Sequence, residues 1–133
     1  MMDNFKHSEI TKLIIKAFYI VYNNLGYSFL EKVYENAIMI ELKKLGLNTR
    51  KQQPISVHYN NSIIGEYFAD IIVNNDVIIE LKAAENLCYE HESQLVNYLK
   101  ASDIEVGLLL NFGKNPQFKR KVLTSEYKNY KES

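Results

Sequence analysis

An aspartate, a glutamate and a lysine in two neighbouring extended segments carry most of the chemical interest of this 133-residue sequence: Asp70 within residues 62–73, and Glu80 and Lys82 within residues 77–83. Between the segments lie Asn74, Asn75 and Asp76, all turn formers. A three-residue hairpin loop made of them sets Val73 opposite Val77, and counting back in step sets Asp70 opposite Glu80. Side chains alternate along a strand with a period of two. Phe68, Asp70 and Ile72 are therefore expected on one face with Ile78, Glu80 and Lys82, and Ala69, Ile71 and Val73 on the other with Val77, Ile79 and Leu81. A two-residue loop would put Asp70 on the wrong side.

Two carboxylates facing each other on adjacent strands repel, and a sheet tolerates them when a proton or a cation intervenes. With all-oxygen ligation and neither Cys nor His nearby, a hard cation, Mg²⁺ or Mn²⁺, suits the pair better than zinc. Lys82, two residues beyond Glu80, is placed to orient a water or to offset charge building up on a phosphate. A reading without chemistry stands beside this one: Glu80 and Lys82 as an ordinary charged pair on a solvated strand, with Asp70 an unrelated surface residue. The apolar run Val77-Ile78-Ile79 and Leu81 around the pair marks a buried central strand, where charge needs a partner. That weighs toward the metal site.

Other reactive residue types offer less. His7, His58 and His91 fall on a terminus, a strand and a helix, and no two have metal-ligand spacing. One cysteine, Cys88, excludes an internal disulfide and a Cys-rich zinc site; without an adjacent base it reads as a buried small residue rather than a nucleophile. Gly107 and Gly113 form no phosphate loop. Lys114, Lys119, Arg120 and Lys121, with Phe118 among them, form a basic cluster that suits either a nucleic-acid backbone or a solvated face. Ten tyrosines are many for this length and suit base stacking or a dimer interface.

The elements that must position these groups are legible from periodicity. Ile10, Leu13, Ile14, Ala17, Phe18 and Val21 mark a first helix, with Ser8 as N-cap and Gly26 beyond its end. A second helix is expected from Ser28, where Ser28-Phe29-Leu30-Glu31 spells a capping box, to Leu45 with Gly46 as its stop. Strands follow at 55–59 and 62–73 around Asn60-Asn61, then at 77–83; a helix covers 90–102 and a final apolar strand 104–112. The tail after Pro116 is polar and basic, with helix as its candidate structure. The order helix, helix, three strands, helix, strand, without repeat or linker, describes one α/β domain over residues 1–133.

Composition bounds the function further. Sixteen Lys and Arg balance sixteen Asp and Glu, so the chain as a whole does not attract a polyanion and any nucleic-acid binding depends on local patches. There is neither a signal-like N-terminus nor a stretch near the roughly 20 apolar residues that span a bilayer. The expectation is a soluble, cytoplasmic protein that does not associate with membranes.

Asp70, a nine-residue gap and Glu80-Leu81-Lys82 resemble the PD-(D/E)XK nuclease signature, and the element order resembles that superfamily's restriction-endonuclease-like αβββαβ core, a mixed central sheet flanked by helices. Gln94-Leu95-Val96-Asn97-Tyr98 resembles the QxxxY helix motif of the RecB-like branch. Gly26 to Tyr34 resembles the signature of the small bacterial GxxExxxY proteins of the same superfamily. Together the likeness covers residues 25–112. It departs at Ser28, where the signature has glycine, and at Ala69-Asp70, where it has Pro-Asp; neither position carries chemistry directly.

The resemblance implies a nuclease acting on DNA more than RNA, with a water activated by Mg²⁺ held on Asp70, Glu80 and the Leu81 carbonyl attacking phosphorus in line while Lys82 assists. It also implies Glu31 as a metal ligand, directly or through water. The capping box at Ser28 accounts for Glu31 equally well, and both readings stand. Gln94 and Tyr98 share a helix face and are placed to reach a phosphate or a base, although core packing also explains Tyr98. The alternative function is a binding module for nucleic acid or protein that keeps the nuclease fold without turnover, with a homodimer or a partner protein supplying further surface.

Overall fold

A computed structural model describes residues 6–128 of the chain. Helix α1 (Ser8–Leu25) buries Thr11, Ile14, Ala17, Phe18 and Val21, one stripe at three- and four-residue spacing. His7, with a left-handed backbone, occupies the N-cap position, so Ser8 is the first helical residue and not the cap. Gly26 ends the helix at φ +71°, its N–H bonded to the Tyr22 carbonyl at 2.8 Å.

Helix α2 (Glu31–Lys44) begins later than its sequence suggests. Ser28 lies outside it at φ +88°, Leu30 takes the N-cap position, and no side chain caps the first turn. The Ser28–Glu31 capping box therefore does not form. Tyr34 fixes the entry instead: its hydroxyl donates to the Gly26 carbonyl at 2.7 Å and accepts the Phe29 N–H at 3.2 Å. Its ring stacks on Phe112 with centroids 4.1 Å apart.

Five strands form one mixed sheet in sequence order: β1 (Thr49–Tyr59), β2 (Ser62–Val73), β3 (Val77–Lys82), β4 (Val106–Phe112) and β5 (Pro116–Val122). The β3–β4 pair is parallel and is connected through helix α3 (Tyr89–Lys100); the other neighbours are antiparallel. The first two hairpin turns use asparagine in the left-handed region, Asn60 and Asn61 in one and Asn74 and Asn75 in the other. Val73 pairs with Val77 across the second, the register a three-residue loop requires.

Two differences from expectation concern element type and length. β1 reaches back to Thr49, and the tail after Pro116 is an edge strand followed by a short 3-10 turn (Ser125–Tyr127) rather than a helix; residues 129–133 of that tail lie outside the described residues. The cluster of lysines and arginine divides across β5. Lys119 and Lys121 pair with Leu109 and Gly107, and Lys121 bonds Glu92 of α3 at 2.6 Å, whereas Arg120 reaches the Lys6 carbonyl. It is not one basic patch.

Helices α1 and α2 cover one face of the sheet, packing Ile14, Phe18, Tyr34, Ile38 and Leu42 against Ile71, Val73, Ile79, Leu81, Leu108 and Leu110. Helix α3 covers the other, packing Leu95, Tyr98 and Leu99 against Ile55, Ala69, Ile78 and Leu109. A Cβ on Gly107 would come within 2.7 Å of Leu95, so glycine lets α3 lie close to β4. Among the described residues no helix is long and apolar enough to cross a membrane.

The expected alternation along β2 fails at one place. Ala69 joins the core under α3 while Ile71 joins the core under α1 and α2, although both would share a face in a regular strand. The break falls at Asp70, next to Gln52 of β1, whose φ is +50°. It also marks the end of the β2–β3 ladder, which pairs Val73, Ile72 and Ile71 with Val77, Ile78 and Ile79 and stops. Upstream of this point β2 pairs with β1 alone, so the two strands leave the sheet as a ribbon.

Candidate active site

The gap opened where β2 parts from β3 is filled by the two carboxylates. Glu80 Oε2 accepts the backbone N–H of Asp70 at 3.2 Å, and Asp70 Oδ2 accepts the backbone N–H of Leu81 at 2.7 Å. Each acid thus takes a backbone donor of the opposite strand that the ended ladder leaves without a carbonyl partner. The sequence stops pairing where the carboxylates begin.

Such a pair is costly when both members are charged. Burial pushes the Glu80 carboxyl up to about 9, with the charge of Asp70 as the second cause. Asp70 is raised as well, first by burial and then by the charge of Glu35, against the lowering effect of the Leu81 N–H. In the metal-free protein the two acids therefore hold a proton between them near neutral pH.

On the α2 side, Asp70 and Leu81 line a cavity of about 230 Å³ with Glu31, Lys32, Glu35 and Gln52. Glu31 is the first residue of α2, exposed, and free of the cap role that was its structural explanation. Glu35, one turn further on, is only 4% exposed; Lys32 bonds one of its oxygens at 3.2 Å and Gln52 the other at 3.1 Å. Sequence reasoning missed Glu35. Its signal was a carboxylate four residues after Glu31, on the helix face that buries Tyr34, Ile38 and Leu42.

On the α3 side stand Lys82, Gln94 and Tyr98. The positive charge of Lys82 acts on Glu80, as expected of residues two apart on one strand. Gln94 Nε2 donates to the Tyr98 hydroxyl at 2.9 Å, so these two polar ends meet each other. Tyr98 is pushed up to about 12, by burial first and by the charge of Glu80 second, so the field of the acids reaches its hydroxyl.

The histidines and the cysteine lie elsewhere. His91 Nδ1 accepts the Cys88 backbone N–H at 3.2 Å at the start of α3, and Cys88 is exposed rather than buried. Among the described residues no three His, Cys, Asp or Glu side chains converge as a ready-made metal centre. The donors that do meet are two carboxylates and the strand carrying the Leu81 carbonyl. That oxygen-only set fits Mg²⁺ or Mn²⁺, which bind through one or two carboxylates and keep several waters.

The fold is that of an α/β protein with a restriction-endonuclease-like core. A solved structure described as the crystal structure of SSO0001 superposes with a TM-score of 0.58 at 17% identity, over 70% of this chain and 50% of that one. The chain thus spans about half the length of that protein, and the likeness concerns the fold. A profile of the PD-(D/E)XK nuclease superfamily matches residues 8–122, and the chain belongs to that superfamily. Nucleases of this superfamily generally use divalent metal ions and act on nucleic acid. No curated protein sequence matches the chain.

Proposed function

We propose that this protein is a metal-dependent nuclease that hydrolyses phosphodiester bonds, in DNA more than RNA, through a single domain of the small bacterial GxxExxxY type. The observation that carries the reading is the reciprocal pair of bonds joining Asp70 and Glu80 across the end of the ladder, with Lys82 two residues on. Asp70, Glu80 and the Leu81 carbonyl would hold Mg²⁺ or Mn²⁺, and Glu31 would act through water. The cation would supply charge for the phosphate and acidify a water.

The chain's own groups account for the remaining steps. Lys82, beside Glu80, offsets the negative charge that grows on the phosphate oxygens in the transition state. Tyr98, fixed by Gln94, donates its hydroxyl toward the same place and narrows the access of bulk water from the α3 side. Glu35, held by Lys32 and Gln52, keeps negative potential on the α2 side and so favours the cation.

The test is a cleavage assay on single- and double-stranded DNA with Mg²⁺ or Mn²⁺, alongside Lys82→Ala and Asp70→Asn. Cleavage by the unaltered protein, lost in EDTA and in both variants while Lys82→Ala still binds Mn²⁺, is the expected result. Activity that persists in EDTA overturns the reading. A second reading, a non-catalytic binding module on the same fold, draws on the absence of three converging ligands among the described residues. Nucleic-acid binding that is indifferent to Mg²⁺ and to Asp70→Asn would favour it.

A further inference from the structure

Beside the acids, on the α3 side of the β1–β2 ribbon, lies an aromatic ring that none of the steps above uses. Tyr67 pairs with Ile55 across the ribbon and is 49% exposed. Its ring meets that of Tyr98 with centroids 5.7 Å apart and planes tilted by 41°, and about half of the residue stays open to solvent beside that contact. Tyr98 itself is buried and bonded to Gln94, which makes it a rigid backing.

We propose that Tyr67 is a stacking platform for an unpaired nucleobase next to the scissile phosphate, and that the substrate of this site is single-stranded nucleic acid. The inference rests on the nuclease reading of the Asp70–Glu80 pair and adds to it the class of substrate. Three residues of strand separate Tyr67 from Asp70, about 10 Å. That spacing suits a phosphate at the acids and the base of a neighbouring nucleotide on the ring. The contact of the Tyr67 ring with Tyr98 of α3, and its pairing with Ile55, set it on the side of the ribbon that α3 covers.

Two further observations favour an unpaired base. The chain has no net charge, and the basic residues of β5 are divided between two faces, so that strand does not present one positive surface to hold a duplex by its phosphates. Stacking supplies affinity without that surface and tolerates any sequence, because every base has a π-face. In a duplex both faces of a base are already occupied by its neighbours, and the exposed ring of Tyr67 finds no partner there.

Fluorescence anisotropy with a labelled oligothymidylate tests this, read in Mg²⁺ and in a Lys82→Ala background so that binding is followed without turnover. The comparison ligand is a sugar-phosphate chain of equal length lacking its bases. Tyr67→Phe keeps the ring and should bind oligothymidylate within about twofold of the parent. Tyr67→Leu keeps apolar cover over Ile55 and Tyr98 without a π-face, and should lose roughly 10- to 100-fold, the range for one stacked base. On the baseless chain all three proteins should bind alike.

Equal affinity of the Leu variant for oligothymidylate, an equal loss on both ligands, or tighter binding to duplex than to single strand each overturns the inference. Cleavage of oligothymidylate by the unaltered protein separates the two readings. Cleavage with no role for Tyr67 leaves the nuclease standing and removes the platform. Ring-dependent binding without any cleavage does the reverse.

Discussion

Asp70 and Glu80 hold each other's strands at the point where β2 and β3 stop pairing: the Asp70 amide donates to the Glu80 carboxylate at 3.2 Å, and the Asp70 carboxylate takes the next amide beyond Glu80 at 2.7 Å. The pair is thus a structural seam and a concentration of negative charge at once. Carboxylates that accept backbone N–H groups are normally acidified by them, yet here burial wins, helped by the charge of Asp70 on Glu80 and of Glu35 on Asp70, and both acids are raised. The seam is at its most comfortable with a positive ion or a proton in it.

Metal binding should therefore release a proton. Glu80 is raised to about 9, so at pH 7 a cation must displace the proton it holds. Mn²⁺ affinity is expected to climb by up to about tenfold per pH unit between pH 6 and 8 and to level off above about 9. Calorimetry at pH 7 in buffers of different ionisation enthalpy should count close to one proton released per Mn²⁺ bound. A count of zero, with affinity independent of pH, contradicts the assignment.

The same proton governs stability in EDTA. Because the folded value of Glu80 lies above its unfolded value near 4.5, the folded state binds the extra proton between those limits. Stability is then full below about pH 4.5 and declines as pH rises toward 9, with a slope of at most about 1.4 kcal/mol per pH unit. Glu80→Gln mimics the protonated acid and cannot lose a proton. Thermal melts in EDTA should show the variant melting several degrees above the parent at pH 8 and the gap closing near pH 5. A parent protein that grows more stable from pH 5 to 8 relative to the variant would reverse the sign and refute the shift.

Glu31 and Asp70 line one cavity but differ in kind. Asp70 is tied to the β3 backbone, whereas Glu31 is exposed at the start of α2 and does not converge with the two strand acids into a three-ligand group. Asp70→Asn should weaken Mn²⁺ binding by more than about 100-fold and Glu31→Gln by about tenfold or less, as expected of a contact through water. Titration of the two variants side by side measures this. Equal losses would make Glu31 a direct ligand.

Much of this site was legible because hairpin arithmetic is short-range. Three turn residues between Val73 and Val77 fix a register, and the register alone sets Asp70 against Glu80. What the sequence did not carry is the reversal of facing between Ala69 and Ile71, which depends on Gln52 in another strand and on where the ladder ends. Glu35 was hidden for a related reason: one of its two hydrogen-bond partners is Gln52, seventeen residues away. The edge strand β5 escaped because Lys119, Arg120 and Lys121 read as a solvated tail, while their pairing with β4 is what makes them a strand. The α2 capping box failed to form although Ser28 and Glu31 have its spacing, since Tyr34 anchors the Gly26 carbonyl and the Phe29 amide and so sets the path of the loop.

That path forces Ser28 to φ +88°, and the strain there is open to test. A left-handed backbone costs a residue bearing a Cβ roughly 1–2 kcal/mol, which glycine escapes, whereas glycine adds about 0.4–1 kcal/mol of unfolded-chain entropy. The serine hydroxyl caps nothing, so its loss takes little away. Ser28→Gly should accordingly stabilise the fold by about 0.5 kcal/mol and raise the melting temperature by about 1–4 °C. Ser28→Ala, which keeps the Cβ and removes only the hydroxyl, is the control and should gain nothing. If alanine stabilised as much as glycine, the backbone angle would not be the cause; if glycine destabilised, the serine side chain would hold a contact that matters more than the strain.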